Sequence, residues 1–395
     1  MKILAAIRGC VGHGHIGGME LISHIVFKGL IDRGLDIEVL TSCKNSVSNS
    51  MEKEIIDGVP YIYLPTKEPC KYTLEFHREI SIYFESVNNT ISLILSVSGA
   101  GSSITKNEYN IPTIACWHGT FLEQELDKVF KYQYQDNKQL SAFNVERLVV
   151  STILPRLFNG ILKDYQSFDY HVCISPYMQE ILGCYGLPPS RIKFIPNCLS
   201  SEFVKNIPAK TDRETNVSNS FGLSSDKFTI GIVGRMGKEK GEDIIRGLIP
   251  LLPPDKFNFL FVGSKIDLED FTKKGFEARC LNLEHSQMST AYQAMDVFVN
   301  PTLRLSGLDM TVLEAYACGT KVIVSNLPQY KGFAEAYGIK IKFFETGNTQ
   351  SLVDAINNPT PNSVKDSLTE DFSEGAMVNS YIDLINTVVA DHITR

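Results

Sequence analysis

Residues 2–20 read KILAAIRGCVGHGHIGGME: a short apolar run, a turn rich in glycine, and the start of an amphipathic window. The spacing Gly12-x-Gly14-x-x-Gly17 is that of a dinucleotide-binding loop. In such loops a glycine follows the strand almost at once, and an acid at the end of the second strand holds the ribose hydroxyls. Neither companion sign is present. Arg8 to Val11 separate the strand from Gly12, and the next apolar run, IEVLT, passes into Thr41 and Ser42 where the acid should stand. The stretch gives an NAD oxidoreductase little support. What remains is a strand, a flexible loop and a helix. Gly17 and Gly18 let a ligand approach the backbone, and the helix beginning near Met19 points its first amides toward an anion. The competing reading gives these glycines a turning role only.

The same beat continues outward. A helical window over 19–33 is closed by Gly34, and the strand candidates IEVLT, YIYL, SLILSV, PTIACW, DYHVCIS and RIKFIP follow, a rhythm of βαβ units. Residues 206–227, NIPAKTDRETNVSNSFGLSSDK, are polar and without periodicity, so the domain boundary is placed there. A second alternating set runs through FTIGIVG, FNFLFVG, DVFVNP and KVIVS. The predicted division is 1–205, 206–373, and a terminal amphipathic helix over 374–395 with Met377, Val378, Tyr381, Ile382, Leu384, Ile385, Val388 and Val389 as its apolar positions. Two open α/β domains in tandem are expected to bind a ligand beyond the carboxyl ends of their strands.

Composition agrees. A chain of 395 residues at 43% hydrophobic content exceeds what one ordinary core fills. With 38 Lys+Arg against 45 Asp+Glu it lacks the positive excess needed to bind a nucleic-acid backbone. Nine cysteines without a C-x-x-C pair do not form a disulfide framework, and a reducing, cytoplasmic setting fits them best. ILAAI is too short for a signal-peptide core, and no run is long and apolar enough to span a bilayer.

The second half carries the stronger chemical signals. GIVGRMGKEKGED, at 231–243, sets Arg235 and Lys240 among glycines at a strand-loop-helix junction, with Gly241 opening the next helix. Arg forks onto two phosphate oxygens and Lys adds a movable point charge, an arrangement suited to a diphosphate. Two solvated surface charges are the bland alternative. In NPTLRLSGLDMTVLEAYACGTKVIVS, at 300–325, Asp309 precedes a helix starting near Met310. Ser306-Gly307-Leu308 form a small-residue loop, and Glu314 shares a helical face with Met310 and Thr311. An acid there accepts hydrogen bonds from ribose hydroxyls.

Six segments in this order resemble a retaining glycosyltransferase of the GT-B fold, and are most similar to glycosyltransferase family 4. They are Gly17-Gly18-Met19-Glu20, Trp117-His118-Gly119, CISPYM at 173–178, IPN at 195–197, GRMGKEKG at 234–241 and LEAYACGTKVIVS at 313–325. One position departs: the glutamate usual eight residues before Glu314 is Ser306 here.

The resemblance implies an architecture of two Rossmann-like domains facing a central cleft, with the last helix crossing back onto the first. The amino-terminal domain is expected on the acceptor side and the second to hold the nucleotide-sugar donor. Arg235 and Lys240 match the pair that neutralises the donor diphosphate, Glu314 the acid that binds the ribose, and Gly307, Leu308, Met310 and Thr311 the donor-contacting amides around Ser306. His118 matches a histidine beside the reacting sugar, and Gly17 and Gly18 the loop near phosphate and acceptor. Asp309 is the candidate to replace the missing glutamate, or else it is only a helix cap. No cofactor and no metal are expected, and no Asp-x-Asp motif occurs. The donor is a nucleotide-diphosphate sugar, UDP favoured over GDP. The acceptor is glycan, lipid-linked or protein-linked, with at most loose peripheral membrane contact through 121–168. A nucleotide-sugar or glycan binding protein without catalysis is the alternative that Ser306 suggests.

Overall fold

A computed structural model describes residues 1–14, 17–46, 50–105, 109–125, 154, 160–207, 217–305, 307–360 and 368–394. The segment 121–168, named above for loose membrane contact, lies mostly outside them. The chain divides into two compact units, the first built from Met1–Leu122, Arg147–Cys198 and Phe372–Arg395, the second mainly from Leu199–Asp371.

The first unit is built on an eight-stranded sheet. Its strands are β1 (Lys2–Ala6), β2 (Asp36–Thr41), β3 (Glu52–Ile56), β4 (Val59–Tyr63), β5 (Leu93–Val97), β6 (Thr113–Trp117), β7 (Tyr170–Cys173) and β8 (Ile192–Phe194). They lie in the order β3-β4-β2-β1-β5-β6-β7-β8, and only β3 with β4 is antiparallel. Strands covered by helices on both faces must be apolar throughout, and β5 and β6 are buried at every residue. α1 (Gly18–Ile31) follows the glycine loop, and α2 (Leu74–Val87) buries Phe76, Ile80 and Phe84 against Leu4, Leu40 and Ile94 of the sheet. Within the loop, a β-carbon on Gly12 would strike the Tyr63 hydroxyl. This glycine makes room for a core tyrosine.

The second unit holds six parallel strands, β9 (Phe228–Val233), β10 (Phe257–Val262), β11 (Glu277–Leu281), β12 (Val297–Asn300), β13 (Lys321–Ser325) and β14 (Lys342–Phe344). Their order is β11-β10-β9-β12-β13-β14. Around them lie α3 (Glu242–Arg246), α4 (Met288–Gln293), α5 (Met310–Ala317) and α6 (Pro328–Tyr337). In each sheet the strand order reverses beside a central strand: β1 lies between β2 and β5, and β9 between β10 and β12. Such a reversal opens a crevice beyond the carboxyl ends of the two diverging strands.

The division falls after Cys198, earlier than the expected 205. The reason is local docking: Ser200 Oγ lies 2.9 Å from His285 Nε2, and Phe203 is buried with its ring 6.2 Å from that of Tyr292. The chain returns to the first unit at Phe372, and α7 (Glu374–Ile393) packs on α1 there. α7 buries Met377, Val378, Tyr381, Leu384, Ile385 and Val388, while Ile382 and Val389 are only half-buried. Val378 fills the space left by the missing side chain of Gly29, and Tyr170 donates its hydroxyl to Asp391.

Candidate active site

A polar cluster of Lys240, Asn300, Asp309 and Tyr330 forms in the second unit where β9 and β12 diverge. Gly241 has φ +82, and a β-carbon there would collide with the Pro301 carbonyl, so only glycine lets the 237–241 turn cross so close to the chain leaving β12. Leu303 N–H donates to Glu239 O at 3.0 Å and locks the crossing. As a result Lys240 Nζ reaches Asp309 Oδ1 at 3.0 Å. The other carboxylate oxygen accepts from Asn300 Nδ2 at 2.9 Å and from the Tyr330 hydroxyl at 2.6 Å. Burial would raise the Asp309 pKa, but Lys240, Tyr330 and Asn300 outweigh it and hold the carboxyl below the ordinary aspartate value.

Asp309 occupies the N-cap position of α5, yet its side chain caps nothing. Among the described residues no side chain caps the first-turn amides of Met310 and Thr311, which carry the positive end of the helix dipole. Gly307 is buried, and Leu308, Met310 and Thr311 are half-buried; Ser306 lies outside the described residues. Arg235 stands two residues past β9, exposed, with no ion pair among the described residues. Glu314, one turn into α5, accepts a 2.7 Å hydrogen bond from the buried Tyr292 hydroxyl. Burial raises its pKa, against the opposing effects of Tyr292 and His285.

In the first unit, Gly17 is the N-cap of α1 and Gly18 its first residue. The Gly17 amide donates to Glu20 Oε2 at 3.1 Å, so an acid of this chain already occupies one donor of the expected anion site. His118 follows β6 and is half-buried; desolvation pushes its pKa down to about 4, so the imidazole is neutral at pH 7. His13 ties the glycine loop to the segment after β2, accepting from the Cys10 amide at 3.1 Å and donating to Cys43 O at 3.0 Å. His15 is outside the described residues.

The structure thus brings Lys240 and Asp309 together and places Arg235, Glu314 and the 307–311 amides on the same unit, with His118, Gly17 and Gly18 on the other. Sequence reasoning missed Asn300, Tyr330 and Tyr292. Asn300 ends the apolar run VFVN, a faint sign; the two tyrosines gave none.

A glycosyltransferase family 4 model matches residues 16–203, and a glycosyl transferases group 1 model matches residues 227–359. Together with the two sheets, these matches put the chain in the class of GT-B glycosyltransferases. Within that class, it is related to family 4. The α-galactosylglucosyldiacylglycerol synthase of Streptococcus pneumoniae is 24% identical over 253 residues, 58% of this chain and 65% of that protein. The match therefore spans just under two thirds of that relative's length. Among solved structures, sucrose-phosphate synthase from Thermosynechococcus elongatus superposes with a TM-score of 0.73 at 16% identity, covering 99% of this chain and 100% of that one. Anabaena Alr3699/HepE in complex with UDP and glucose superposes with a TM-score of 0.62 at 15% identity, covering 100% and 99%. At these identities the structural likeness concerns the fold. Among the described residues, no helix is long and apolar enough to cross a membrane.

Proposed function

We propose that the chain is a retaining, metal-independent hexosyltransferase that moves a sugar from a nucleotide-diphosphate donor to an acceptor hydroxyl of a glycan, glycolipid or glycoprotein. The observation that carries this reading is the Lys240–Asp309 pair, fixed by Asn300 and Tyr330 where β9 and β12 diverge. A lysine so held, with Arg235 on the same unit free of ion pairs among the described residues and the first-turn amides of α5 not capped by Asp309, is suited to a diphosphate whose charge grows as the sugar leaves. Lys240, held by Asp309, and Arg235 together supply the positive charge that a divalent ion supplies in other transferases. UDP is favoured over GDP, with support from the UDP held by the Anabaena fold relative.

In the reaction, the bond from the anomeric carbon to the leaving phosphate oxygen breaks, and the acceptor oxygen bonds to that carbon on the same face. The acceptor proton passes to the departing phosphate oxygen, so no carboxylate nucleophile is required. Arg235 and Lys240 stabilise the leaving diphosphate, and Glu314 takes the ribose hydroxyls. His118, neutral at pH 7, offers the sugar a hydrogen bond without adding charge. Asp309 orients Lys240 and retains a free lone pair for a sugar hydroxyl, the contact that Ser306 cannot supply as a carboxylate. Nine cysteines with no disulfide among them support a cytoplasmic location.

A calorimetric panel of UDP, GDP, UDP-glucose, UDP-N-acetylglucosamine, GDP-mannose and NAD tests the reading. Binding of UDP and a UDP-sugar, lost in Glu314→Ala, is expected. Binding of NAD, or of none of the nucleotides, would contradict it.

A further inference from the structure

We propose that the first unit binds an anionic group, a carboxylate or phosphate carried on the acceptor sugar, at Arg8 in the crevice beyond β1 and β5. The assignment to an acceptor rests on the transferase reading above; the anion site itself rests on the geometry. Arg8 stands two residues past the end of β1, as Arg235 stands two residues past the end of β9. Both strands are the central ones beside which their sheets reverse, so the two arginines hold equivalent places in two similar folds.

The surroundings of Arg8 fit that use. It is half-buried, and its guanidinium lies 5.4 Å from the centroid of the Tyr72 ring. Among the described residues it has neither an ion pair nor a side-chain hydrogen bond. Other arginines of the chain find acids: Arg78 pairs with Glu79, and Arg246 with both Glu242 and Asp270. Glu20, in the first turn of the neighbouring α1, is turned to the Gly17 amide. Tyr72 is itself fixed, its hydroxyl donating to Val97 O at 3.3 Å on the last residue of β5 and its ring stacked on His77 at 6.1 Å and 12°. A guanidinium lying over a ring keeps its in-plane N–H edge free, and that edge matches the two oxygens of a carboxylate or phosphate. Ser98, directly after β5, and Cys70, just before Tyr72, both hold positive φ without being glycine, at +53 and +58. Strained backbone of this kind concentrates at functional sites.

The test is calorimetry on the full chain with methyl glucoside, methyl glucuronide, glucose 6-phosphate and inorganic phosphate as probes. At least one charged sugar is expected to bind about tenfold tighter than methyl glucoside, and the two charged sugars tell carboxylate from phosphate. The preference should weaken with added salt, vanish in Arg8→Gln, and survive only in part in Arg8→Lys, which keeps the charge but not the fork. Equal binding of neutral and charged sugars, or a preference that persists in Arg8→Gln, would overturn the site. Inorganic phosphate binding as tightly as glucose 6-phosphate would overturn its assignment to a sugar. On the same samples the melting temperature should be unchanged in Arg8→Gln, which checks folding of the first unit, and UDP affinity should be unchanged as well. A chain that discriminates the charged sugars yet binds no nucleotide would keep the anion site and remove the transferase reading.

Discussion

Asp309 has the sequence position of a helix cap and the contacts of a lysine anchor. A cap is worth about 1 kcal/mol, and the chain forgoes it to aim the carboxylate at Lys240, Asn300 and Tyr330. Asp309→Asn keeps an acceptor for Tyr330 but loses the charge that holds the lysine. Turnover should fall at least about tenfold with nucleotide affinity preserved; steady-state kinetics showing full turnover would leave the carboxylate a structural role only. Glu314 presents the opposite electrostatics. Its pKa is raised in the folded state, so its contribution to stability is full below the ordinary glutamate value and is lost as pH rises through the folded value. Glu314 therefore stabilises the fold less at pH 7 than at pH 4. Glu314→Gln should raise the melting temperature at pH 7 by more than at pH 4 while weakening UDP binding, and a variant that melts lower at pH 7 would contradict this. The charged members of the site were legible because charges among glycines at strand ends have few structural uses. Tyr292 and Tyr330 were not, because a buried tyrosine that orients a carboxylate has the same sequence signature as one that fills a core.

The strands found from sequence and the strands missed differ in one physical respect. β3, β11 and β14 went unnoticed, and each lies at the edge of a sheet. Edge strands are half-solvated and carry charge that discourages further pairing, so EKEII and EARCL show no apolar run of the kind that marks β5 or β10. β8 is also an edge, yet RIKFIP alternates well enough to be seen. The loops at the site depend on one glycine more than on any helix. Gly241→Ala places a side chain at φ +82 against the Pro301 carbonyl, which should cost roughly 1–3 kcal/mol and displace Lys240. Chemical denaturation and kcat should fall together. A variant of unchanged stability and turnover would show that the crossing does not position the lysine.

At the scale of the whole chain, alternating strands and helices announced two α/β units, but the join between them was blurred. Composition marks where the chain turns polar, near 206, whereas the unit begins where Ser200 and Phe203 make their contacts. The last helix shows the same limit: its apolar face was plain, but its partner α1 was not, since Gly29 gives no sign that Val378 will lie against it. Ending the chain before Glu374 would uncover α1 and the apolar face it shares with α7. Aggregation or a lower melting temperature is expected, and a truncated chain that melts unchanged would contradict the packing. The central claim, retaining transfer from a nucleotide sugar, is tested most directly by proton NMR of donor hydrolysis without acceptor. With UDP-glucose and EDTA present, slow release of UDP should accompany α-glucose as the first anomer formed, and Lys240→Ala should slow it about a hundredfold or more. First appearance of the β-anomer, or release that requires a divalent ion, would contradict the mechanism.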